Sequence, residues 1–489
     1  MNSPVIRYVL GHVMAIEGIL MILPIVVGVI YNEKVASVYA MIALLVFLIG
    51  RFLSRKRPES FVFYFKDGCV ATALSWIVLS VIGCLPFYVT GEIPHFIDAL
   101  FETVSGFTTT GASILNDVEA LSRTATMWRS FTHWIGGMGV LVFLLAIIPM
   151  KGGYHMNLMK AESPGPSVGK FVPKVRDTAK ILYIIYLGLT VMEFLFLIVG
   201  KMPVFDALNT SFATAGTGGF GIKGDSLASY SAYHQWIVTI FMILFGVNFS
   251  AYYLILFGKL RKALSLEEVK AYLMVIVVAV TIITVDIVRI TDTVQDAIRH
   301  ASFTVASIIT TTGFATLDFN LWSETSKMIL VMLMFVGACA GSTGGGIKVS
   351  RFIILLKTVK KELGSYIHPK SVKKIQMDEH PLDPEIVRST NVYFITFIIV
   401  FSISCFLLSF EHIDLVSTFT AVAACINNIG PGIELVGPTA NYGFLSDGSK
   451  LVLVFDMLAG RLELFPILVL LTPEIWRDLF TQKVRKIKH

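Results

Sequence analysis

Apolar residues dominate this chain in long runs, and short polar segments separate one run from the next. A helix needs about 20 mainly apolar residues to cross the hydrocarbon core of a bilayer. Ten runs approach or exceed that length, and each predicts a transmembrane helix, although the second run is short. The eighth run is too long for one span and contains several glycines, so we expect a broken helix there. The runs cover roughly residues 8–31, 37–52, 69–89, 128–149, 178–200, 235–257, 270–289, 327–357, 388–409 and 450–472.

Shorter apolar stretches recur in four of the loops between these runs, at about residues 89–127, 200–234, 290–326 and 410–449. Each stretch is too short to cross the membrane, begins near an aspartate and leads into a polar, glycine-containing turn. The pattern predicts four tandem repeats of span, half-span, turn and span after an N-terminal two-helix hairpin. The predicted domains are the hairpin (1–60) and repeats at 61–177, 178–269, 270–387 and 388–489, with the broken helix in the third repeat.

The aspartates at the start of the half-spans are Asp98, Asp206, Asp296 and Asp414. Two interpretations remain open for them. They cap the N-termini of the half-helices, which we favour, or they form an outer ring that attracts cations.

The polar turns read FTTTGAS at 107–113, GTGGF at 216–220, TTTGFA at 310–315 and NNIGPG at 427–432. Non-helical backbone survives at membrane depth only where it is buried in protein or lines water. A half-helix of about 10 residues is about 15 Å long, so its negative C-terminal end lies near mid-membrane and favours cations. Glycine permits dihedral angles that align carbonyl groups, and rings of carbonyls replace the hydration shell of a potassium ion. The turns predict an ion filter around a pseudo-four-fold pore, whereas tight packing of ordinary re-entrant turns is the plainer alternative.

Composition places the protein in the membrane. Of 489 residues, 55% are hydrophobic and 15% are charged, whereas a soluble protein has about 25% charged residues. The net charge of +6 reflects basic segments that follow the even-numbered spans, so these segments and both termini are predicted to be cytoplasmic. We therefore expect an all-α integral membrane protein that contacts lipid and binds no nucleic acid.

Two features interrupt the apolar runs. The segment GACAGSTGGGIK at 337–348 is not a phosphate-binding loop, because Ile347 follows Gly346 where that motif needs lysine. It predicts either a kink for helix packing or an intramembrane loop that changes conformation. Arg461 lies within the tenth run, where a charge is costly and by default functional. A structural ion pair with Asp456 or Glu463 is the alternative.

Five segments of the sequence resemble the Trk/Ktr/HKT superfamily of potassium transporters, and the resemblance spans nearly the whole chain. They are HWIGGMGV at 133–140, AESPGPSVGK at 161–170, TTTGFA, GSTGGGIK at 341–348 and INNIGPG at 426–432. The N-terminal hairpin is more similar to the bacterial Trk-type pore subunit than to the shorter Ktr type. The resemblance implies potassium uptake across the inner (plasma) membrane, a homodimer, and a cytosolic TrkA-like ring of nucleotide-binding regulatory subunits. It implies no cofactor in this chain, with potassium as the transported ion.

The resemblance also implies site residues. One glycine of each repeat, with the two residues before it, would form the filter and bind potassium. These residues are Thr109, Thr110, Gly111, Thr217, Gly218, Gly219, Thr311, Thr312, Gly313, Asn428, Ile429 and Gly430. Gly111 argues for potassium, since sodium-preferring relatives have serine there. The implied gate below the filter comprises Gly341, Ser342, Thr343, Gly344, Gly345, Gly346, Lys348 and the pore arginine Arg461.

Two other functions compete with a gated pore. A potassium symporter coupled to protons or sodium by alternating access typically has inverted repeats, whereas the four repeats here share one orientation. A membrane-embedded enzyme needs a catalytic dyad or a metal cluster within the spans, and the sequence shows neither. The sequence therefore favours a transport protein that is not an enzyme, with coupled symport as the alternative.

Overall fold

The computed structural model describes residues 2–58, 64–139, 175–369 and 374–477, which are mainly helical. The AESPGPSVGK motif, the second half of the predicted fourth span and the basic C-terminal residues lie outside the described residues. The described helices, in chain order, are α1 (Ser3–Leu20), α2 (Ile22–Ile30), α3 (Val35–Leu53), α4 (Phe65–Thr90), α5 (Phe96–Phe107), α6 (Arg123–Gly137), α7 (Val175–Val199), α8 (Val204–Gly216), α9 (Ala232–Phe245), α10 (Phe249–Leu256), α11 (Leu260–Ser265), α12 (Glu267–Ile287), α13 (Val294–Ile309), α14 (Glu324–Phe335), α15 (Val349–Ile367), α16 (Pro384–Leu408), α17 (Leu415–Ile426), α18 (Asp447–Arg461) and α19 (Phe465–Leu471). Two short strands, β1 (Gln376–Met377) and β2 (His380–Pro381), pair antiparallel.

Six helical segments of the described chain are long and apolar enough to cross a membrane, or seven if the bent pair α9–α10 counts as one span. Every predicted span has at least one described helix in its range. The predicted break in the eighth run lies between α14 and α15. The sixth and tenth runs were each predicted as one continuous span, and both of these predictions are wrong.

The sixth run bends by 92° between α9 and α10. The bend frees backbone groups, and the segment 336–348 between α14 and α15 satisfies them. The amide of Cys339 donates to the carbonyl of Gly246 at 3.0 Å, and the amide of Phe249 donates to the carbonyl of Gly341 at 3.0 Å. The side chain of Asn248 caps α10. A hydropathy pattern cannot reveal this break, because the residues on both sides of it are apolar.

The tenth run breaks directly after Arg461, the last residue of α18. Leu464 has φ 68° and ψ −57°, and the amide of Phe465 donates to the carbonyl of Glu463 at 2.9 Å. These features define a strained γ-turn, and the buried Leu464 side chain holds it in the core. Arg461 therefore lies at a helix end that faces other segments, and not in the middle of a regular span.

The four half-helices α5, α8, α13 and α17 lie inside a closed arrangement of spans. The span after each half-helix packs against the half-helix of the next repeat: α6 against α8, α9 against α13, α14 against α17, and α18 against α5. The N-terminal hairpin packs outside this arrangement, with α1 and α3 against α4. The division into repeats remains a prediction. Its boundaries at 178, 270 and 388 fall three or four residues inside α7, α12 and α16, because polar residues begin those helices before the apolar run.

The aspartate caps were predicted correctly at one of four positions. Asp414 is the N-cap of α17, and its side chain accepts a hydrogen bond from the Ser417 amide at 2.8 Å. Asp98, Asp206 and Asp296 instead lie in the first turn of their helices. A carboxylate there still stabilises the positive end of the helix dipole.

Those three carboxylates have their own partners, which weakens the outer-ring interpretation. Asp98 pairs with Lys450 at 2.6 Å, and Asp296 pairs with Arg299 at 2.6 Å. Asp206 accepts a hydrogen bond from the Tyr230 hydroxyl at 2.9 Å. A cation that approaches the N-terminal ends of the half-helices meets two carboxylates, Asp98 and Asp296, whose charges are already neutralised.

We expect Asp414→Ala to lower the stability of the protein by about 1 kcal/mol, because the Ser417 amide loses its side-chain acceptor. Asp414→Asn keeps an acceptor oxygen and should remain close to wild type. The measurement is the midpoint of thermal unfolding in detergent. An alanine variant that unfolds with the wild type would contradict the capping role.

The difference in stability between wild type and Asp414→Ala should depend on pH. The hydrogen bond from Ser417 lowers the pKa of the Asp414 carboxyl. The stabilisation is therefore fully present above the unfolded aspartate pKa of about 3.9 and is lost as the pH falls through the lowered folded pKa. The difference between wild type and Asp414→Ala should stay constant from about pH 7 to 5 and shrink below about pH 4.

Candidate functional site

The four half-helices end in the same backbone motif. A residue with left-handed φ follows each helix: Thr109 (57°), Thr217 (55°), Thr311 (59°) and Asn428 (55°). The amide of the next residue donates to the carbonyl five residues earlier. These bonds join Thr110 to Ser105 (2.9 Å), Gly218 to Ala213 (2.8 Å), Thr312 to Ser307 (2.8 Å) and Ile429 to Ala424 (2.8 Å). This is the Schellman motif, which usually has glycine at the left-handed position.

Three of these left-handed residues are threonines, whose branched side chains make that conformation costly. Such strain persists where the surroundings hold the residue in place, and it concentrates at functional sites. We name the four segments turn 1 (109–111), turn 2 (217–219), turn 3 (311–313) and turn 4 (428–430).

Each turn ends in a glycine that lies against the backbone of the next turn. The φ angles of Gly111, Gly219, Gly313 and Gly430 are 81°, 76°, 85° and 98°. A β-carbon added to each would lie 2.0 Å from the carbonyl oxygen of Gly218, 1.9 Å from that of Thr312, 2.2 Å from that of Ile429 and 2.7 Å from that of Thr110, respectively. These contacts run from turn 1 through turns 2, 3 and 4 and back to turn 1. The four turns therefore form a closed ring of backbone, and a side chain at any of the glycines would push the ring apart.

One cavity opens at the ring. All four glycines line it, together with the segments that follow them, including Ser113, Phe220, Ala315 and Pro431. We call this cavity the vestibule.

Threonine hydroxyls form hydrogen bonds within and between the turns. The hydroxyls of Thr108 and Thr110 lie 2.8 Å apart, and those of Thr310 and Thr312 lie 2.7 Å apart. The Asn428 amide donates to the Thr110 hydroxyl at 3.0 Å, which joins turn 4 to turn 1. The hydroxyls of Thr110 and Thr312 therefore have partners within the protein.

A glycine-rich loop (336–348) separates α14 from α15. Its base is closed by backbone pairing, in which Gly337 donates to the carbonyl of Ile347 at 2.8 Å. Gly341 and Gly346 have φ of 68° and 67°, which glycine adopts at little cost.

This loop packs against turns 3 and 4. The amide of Gly345 donates to the Thr311 hydroxyl at 2.7 Å. A β-carbon on Gly345 would lie 2.7 Å from the carbonyl oxygen of Asn427, and one on Gly344 would lie 3.1 Å from that of Thr310. The absence of side chains lets the loop approach the ring to backbone contact.

Arg461 joins three segments at this point. Its guanidinium donates to the Thr109 hydroxyl at 3.2 Å and to the loop carbonyl of Thr343 at 3.0 Å. It also donates to the carbonyls of Gly136 and Gly137 at 2.5 and 2.7 Å. The last two carbonyls belong to the C-terminus of α6, whose dipole stabilises a cation. The side chain thus links turn 1, the loop and α6.

The carboxylates considered as partners of Arg461 have other contacts. Asp456 accepts from the Ser404 hydroxyl at 2.6 Å, and Glu463 forms an ion pair with Arg351. Lys348, the last residue of the proposed gate segment, donates to the loop carbonyls of Gly344 and Gly345. The structure thus brings together all of the sequence-predicted filter and gate residues, and the two carboxylates named as alternative partners of Arg461 contact Ser404 and Arg351.

Glu268 is a site residue that the sequence analysis missed. Its buried carboxylate accepts hydrogen bonds from the amides of Ala340 (2.6 Å) and Ser350 (3.1 Å) and from the side chain of Asn248 (3.3 Å). It joins the middle of the loop and the first turn of α15 to the start of α12. In the sequence it stands in the polar stretch before the seventh run, where a carboxylate is ordinary, so no pattern there points to this role.

The role of His133, the first residue of the segment HWIGGMGV, was not predicted. Its Nε2 accepts the amide of Phe220, just after turn 2, at 3.2 Å. The proton must therefore be on Nδ1, which donates to the carbonyl of Gly106 at the end of α5 at 2.7 Å. The neutral ring joins the end of one half-helix to the turn of the next.

Comparison with known proteins gives a consistent result. Residues 37–478 match the profile of the TrkH family, described as cation transport proteins. The chain is 34% identical to the Trk system potassium uptake protein TrkH of Salmonella typhimurium, over 98% of this chain and 100% of that protein. Identity to the protein of the same name from Escherichia coli K12 is 33%, with the same coverage. The crystal structure of the potassium transporter TrkH from Vibrio parahaemolyticus superposes with a TM-score of 0.87 at 30% identity, over 97% of this chain and 100% of that one.

We expect Gly219→Ala to destabilise the protein by at least about 1 kcal/mol, because alanine is strained at positive φ and its β-carbon would collide with the Thr312 carbonyl. Gly188→Ala is the matched control. No atom lies within 4 Å of the added β-carbon there, and alanine is favoured within a helix. The midpoint of thermal unfolding measures both. Equal midpoints for the two variants would contradict the close ring.

Proposed function

This chain belongs to the TrkH family of cation transport proteins, and we propose that it takes up potassium across the cell membrane through a gated pore. The proposal rests on the names of its relatives, potassium uptake proteins of the Trk system. The observation that supports a pore most directly is the closed ring of glycine-to-carbonyl contacts among the four turns. Transport, and not catalysis, is the function named for these relatives, in agreement with the sequence-based expectation.

In the proposed mechanism the ring is the filter. A potassium ion leaves its water in the vestibule and is coordinated by backbone carbonyls of the four turns, which replace its hydration shell. The four half-helices point their C-terminal ends at the ring, and the negative ends of their dipoles favour a cation there. The turns differ in sequence (Thr-Thr-Gly, Thr-Gly-Gly, Thr-Thr-Gly and Asn-Ile-Gly), so the coordination is only approximately four-fold.

The loop and Arg461 form the proposed gate. In the described conformation the loop lies against turns 3 and 4, and Arg461 places a positive charge beside turn 1. An ion that leaves the filter on the side of the loop would meet both the loop and the positive charge of Arg461. Opening requires the loop to withdraw and to break the bond between Arg461 and the Thr343 carbonyl, which the loop glycines permit by a change of dihedral angles.

Control of this gate is proposed to come from a cytosolic nucleotide-binding ring, within a homodimer of this chain. The relatives are named as parts of a Trk system, which is consistent with further subunits. Helix α15 runs directly from the loop, and its far end exposes Tyr366 and Ile367. A partner that moves this helix would act on the loop through a single rigid element.

We expect Gly111→Ser to reduce the preference for potassium over sodium by about tenfold, equivalent to about 1.4 kcal/mol. The added side chain would displace the Gly218 carbonyl and widen the ring. The measurement is potassium and sodium flux into liposomes that contain the purified protein. Gly364→Ser, where no atom lies within 4 Å of the added β-carbon, is the control. Unchanged selectivity in Gly111→Ser would argue that the turns are scaffold.

We expect Arg461→Ala to raise potassium flux in the same liposomes, because it removes the positive charge and the tie to the loop. Arg461→Lys keeps the charge but loses the forked geometry, so its flux should stay nearer to wild type. If alanine leaves flux unchanged while an imposed proton gradient drives uptake, the coupled symporter becomes the better description.

A further inference from the structure

The first repeat contains a carboxylate that the other repeats lack. Nine residues before the turn glycine, α5 has Glu102, whereas the matching positions are Thr210, Thr304 and Ala421. The backbones of the four turns match closely, so this difference in chemistry stands out. The Glu102 side chain is fully buried at the vestibule end of turn 1.

Glu102 holds the chain as it leaves turn 1. Its carboxylate accepts the Ser113 hydroxyl at 3.0 and 3.1 Å and the Ile114 amide at 3.0 Å. It also accepts the Nε–H of Arg129, which lies on α6, at 2.6 Å. With these partners the buried charge is satisfied on both oxygens.

Arg129 contacts the segment that directly follows turn 2. Its side chain is only 3% exposed, and a second guanidinium nitrogen donates to the carbonyl of Gly221 at 2.9 Å. The guanidinium carbon lies 3.5 Å from the centre of the Phe220 ring. Phe220 and Gly221 directly follow Gly219, so the pair joins the exits of turns 1 and 2.

Arg129 also lines the vestibule with the four turn glycines. A cation that enters the filter from this side passes a buried guanidinium. Glu102 cancels that charge at short range, where the low local dielectric would otherwise make the repulsion strong. The corresponding support of turn 4 is uncharged: the Tyr442 hydroxyl donates to the carbonyl of Gly430 at 2.7 Å.

We propose that Glu102 and Arg129 are a positioning pair for ion selection, in which Arg129 sets the spacing of turns 1 and 2 and Glu102 cancels the charge that Arg129 would otherwise place in the vestibule. The pair has two separable effects. Its hydrogen bonds position the turns and so determine the preference between cations, and its charge balance determines how readily any cation enters. This inference rests on the proposed function of the ring as a potassium filter. A pair that serves only stability is the competing explanation, and buried pairs are often replaceable without loss of stability.

Variants that change the charge of the pair separate the positioning effect from the charge effect. Glu102→Gln keeps an acceptor oxygen but leaves the Arg129 charge uncompensated. Glu102→Gln combined with Arg129→Gln makes the pair neutral again but does not restore the guanidinium that contacts both residue 102 and the Gly221 carbonyl. Asp98→Asn is the matched control, because it breaks an ion pair one helical turn earlier on α5 that does not touch the turns.

Potassium and sodium fluxes in liposomes, normalised to folded protein, are the readout. We expect Glu102→Gln to lower potassium flux by about tenfold, equivalent to about 1.4 kcal/mol. The double variant should recover most of that flux and still show a reduced preference for potassium over sodium. Asp98→Asn should keep the wild-type preference.

Each contrary result overturns the proposal in a recognisable way. If Glu102→Gln keeps wild-type flux and preference, or loses only folded protein, the pair is structural. If the double variant remains as slow as the single variant, charge balance is not its role, and if it regains full preference, positioning is not. If wild-type protein carries no potassium in the same liposomes, the proposed function itself fails and this inference fails with it.

Discussion

The backbone contact between each turn glycine and the carbonyl of the next turn is the constraint on which the rest of this structure depends. Gly111, Gly219, Gly313 and Gly430 bring four chain segments so close that a single β-carbon would not fit between them. That proximity concentrates four helix dipoles on one point. It also explains the strained left-handed threonines, because each turn must reverse within two residues of its helix end to reach its neighbour.

The ring also accounts for the position of the loop. The Gly345 amide bonds to Thr311 in turn 3, and Gly344 and Gly345 approach the backbone beside turns 3 and 4 because they have no side chains. The loop in turn explains the bend between α9 and α10, whose freed backbone groups bond to residues 339–341. Glu268 then holds the middle of the loop and the first turn of α15 with one carboxylate. A segment this well bonded can rest stably in one position, and its glycines still allow another.

Much of this arrangement could be predicted from the sequence, and the reasons for success and failure differ. The four turns were found because the repeat supplies the same signal four times, and Gly-containing polar segments are rare at membrane depth. The breaks after Phe245 and Arg461 were not found, because hydropathy averages over apolar residues on both sides. Three aspartates were misassigned as caps because a cap and a first-turn carboxylate differ by only three positions. The contacts of Arg461 and Glu102 depend on residues distant in sequence, which no local pattern shows.

Four similar turns in a single chain permit a feature that four identical subunits cannot have. A tetramer must place the same side chain behind every turn, whereas here the backbone is nearly four-fold and its supports are not. Turns 1 and 2 are joined by the ion pair of Glu102 and Arg129, and turn 4 is held by a tyrosine hydroxyl. Arg461 contacts turn 1, while the loop contacts turns 3 and 4. A single guanidinium and a single loop can therefore act on one small ring without the crowding or repulsion that four symmetric copies would cause. Covalent linkage of the four turns is what makes asymmetric contacts around a nearly symmetric ring physically possible.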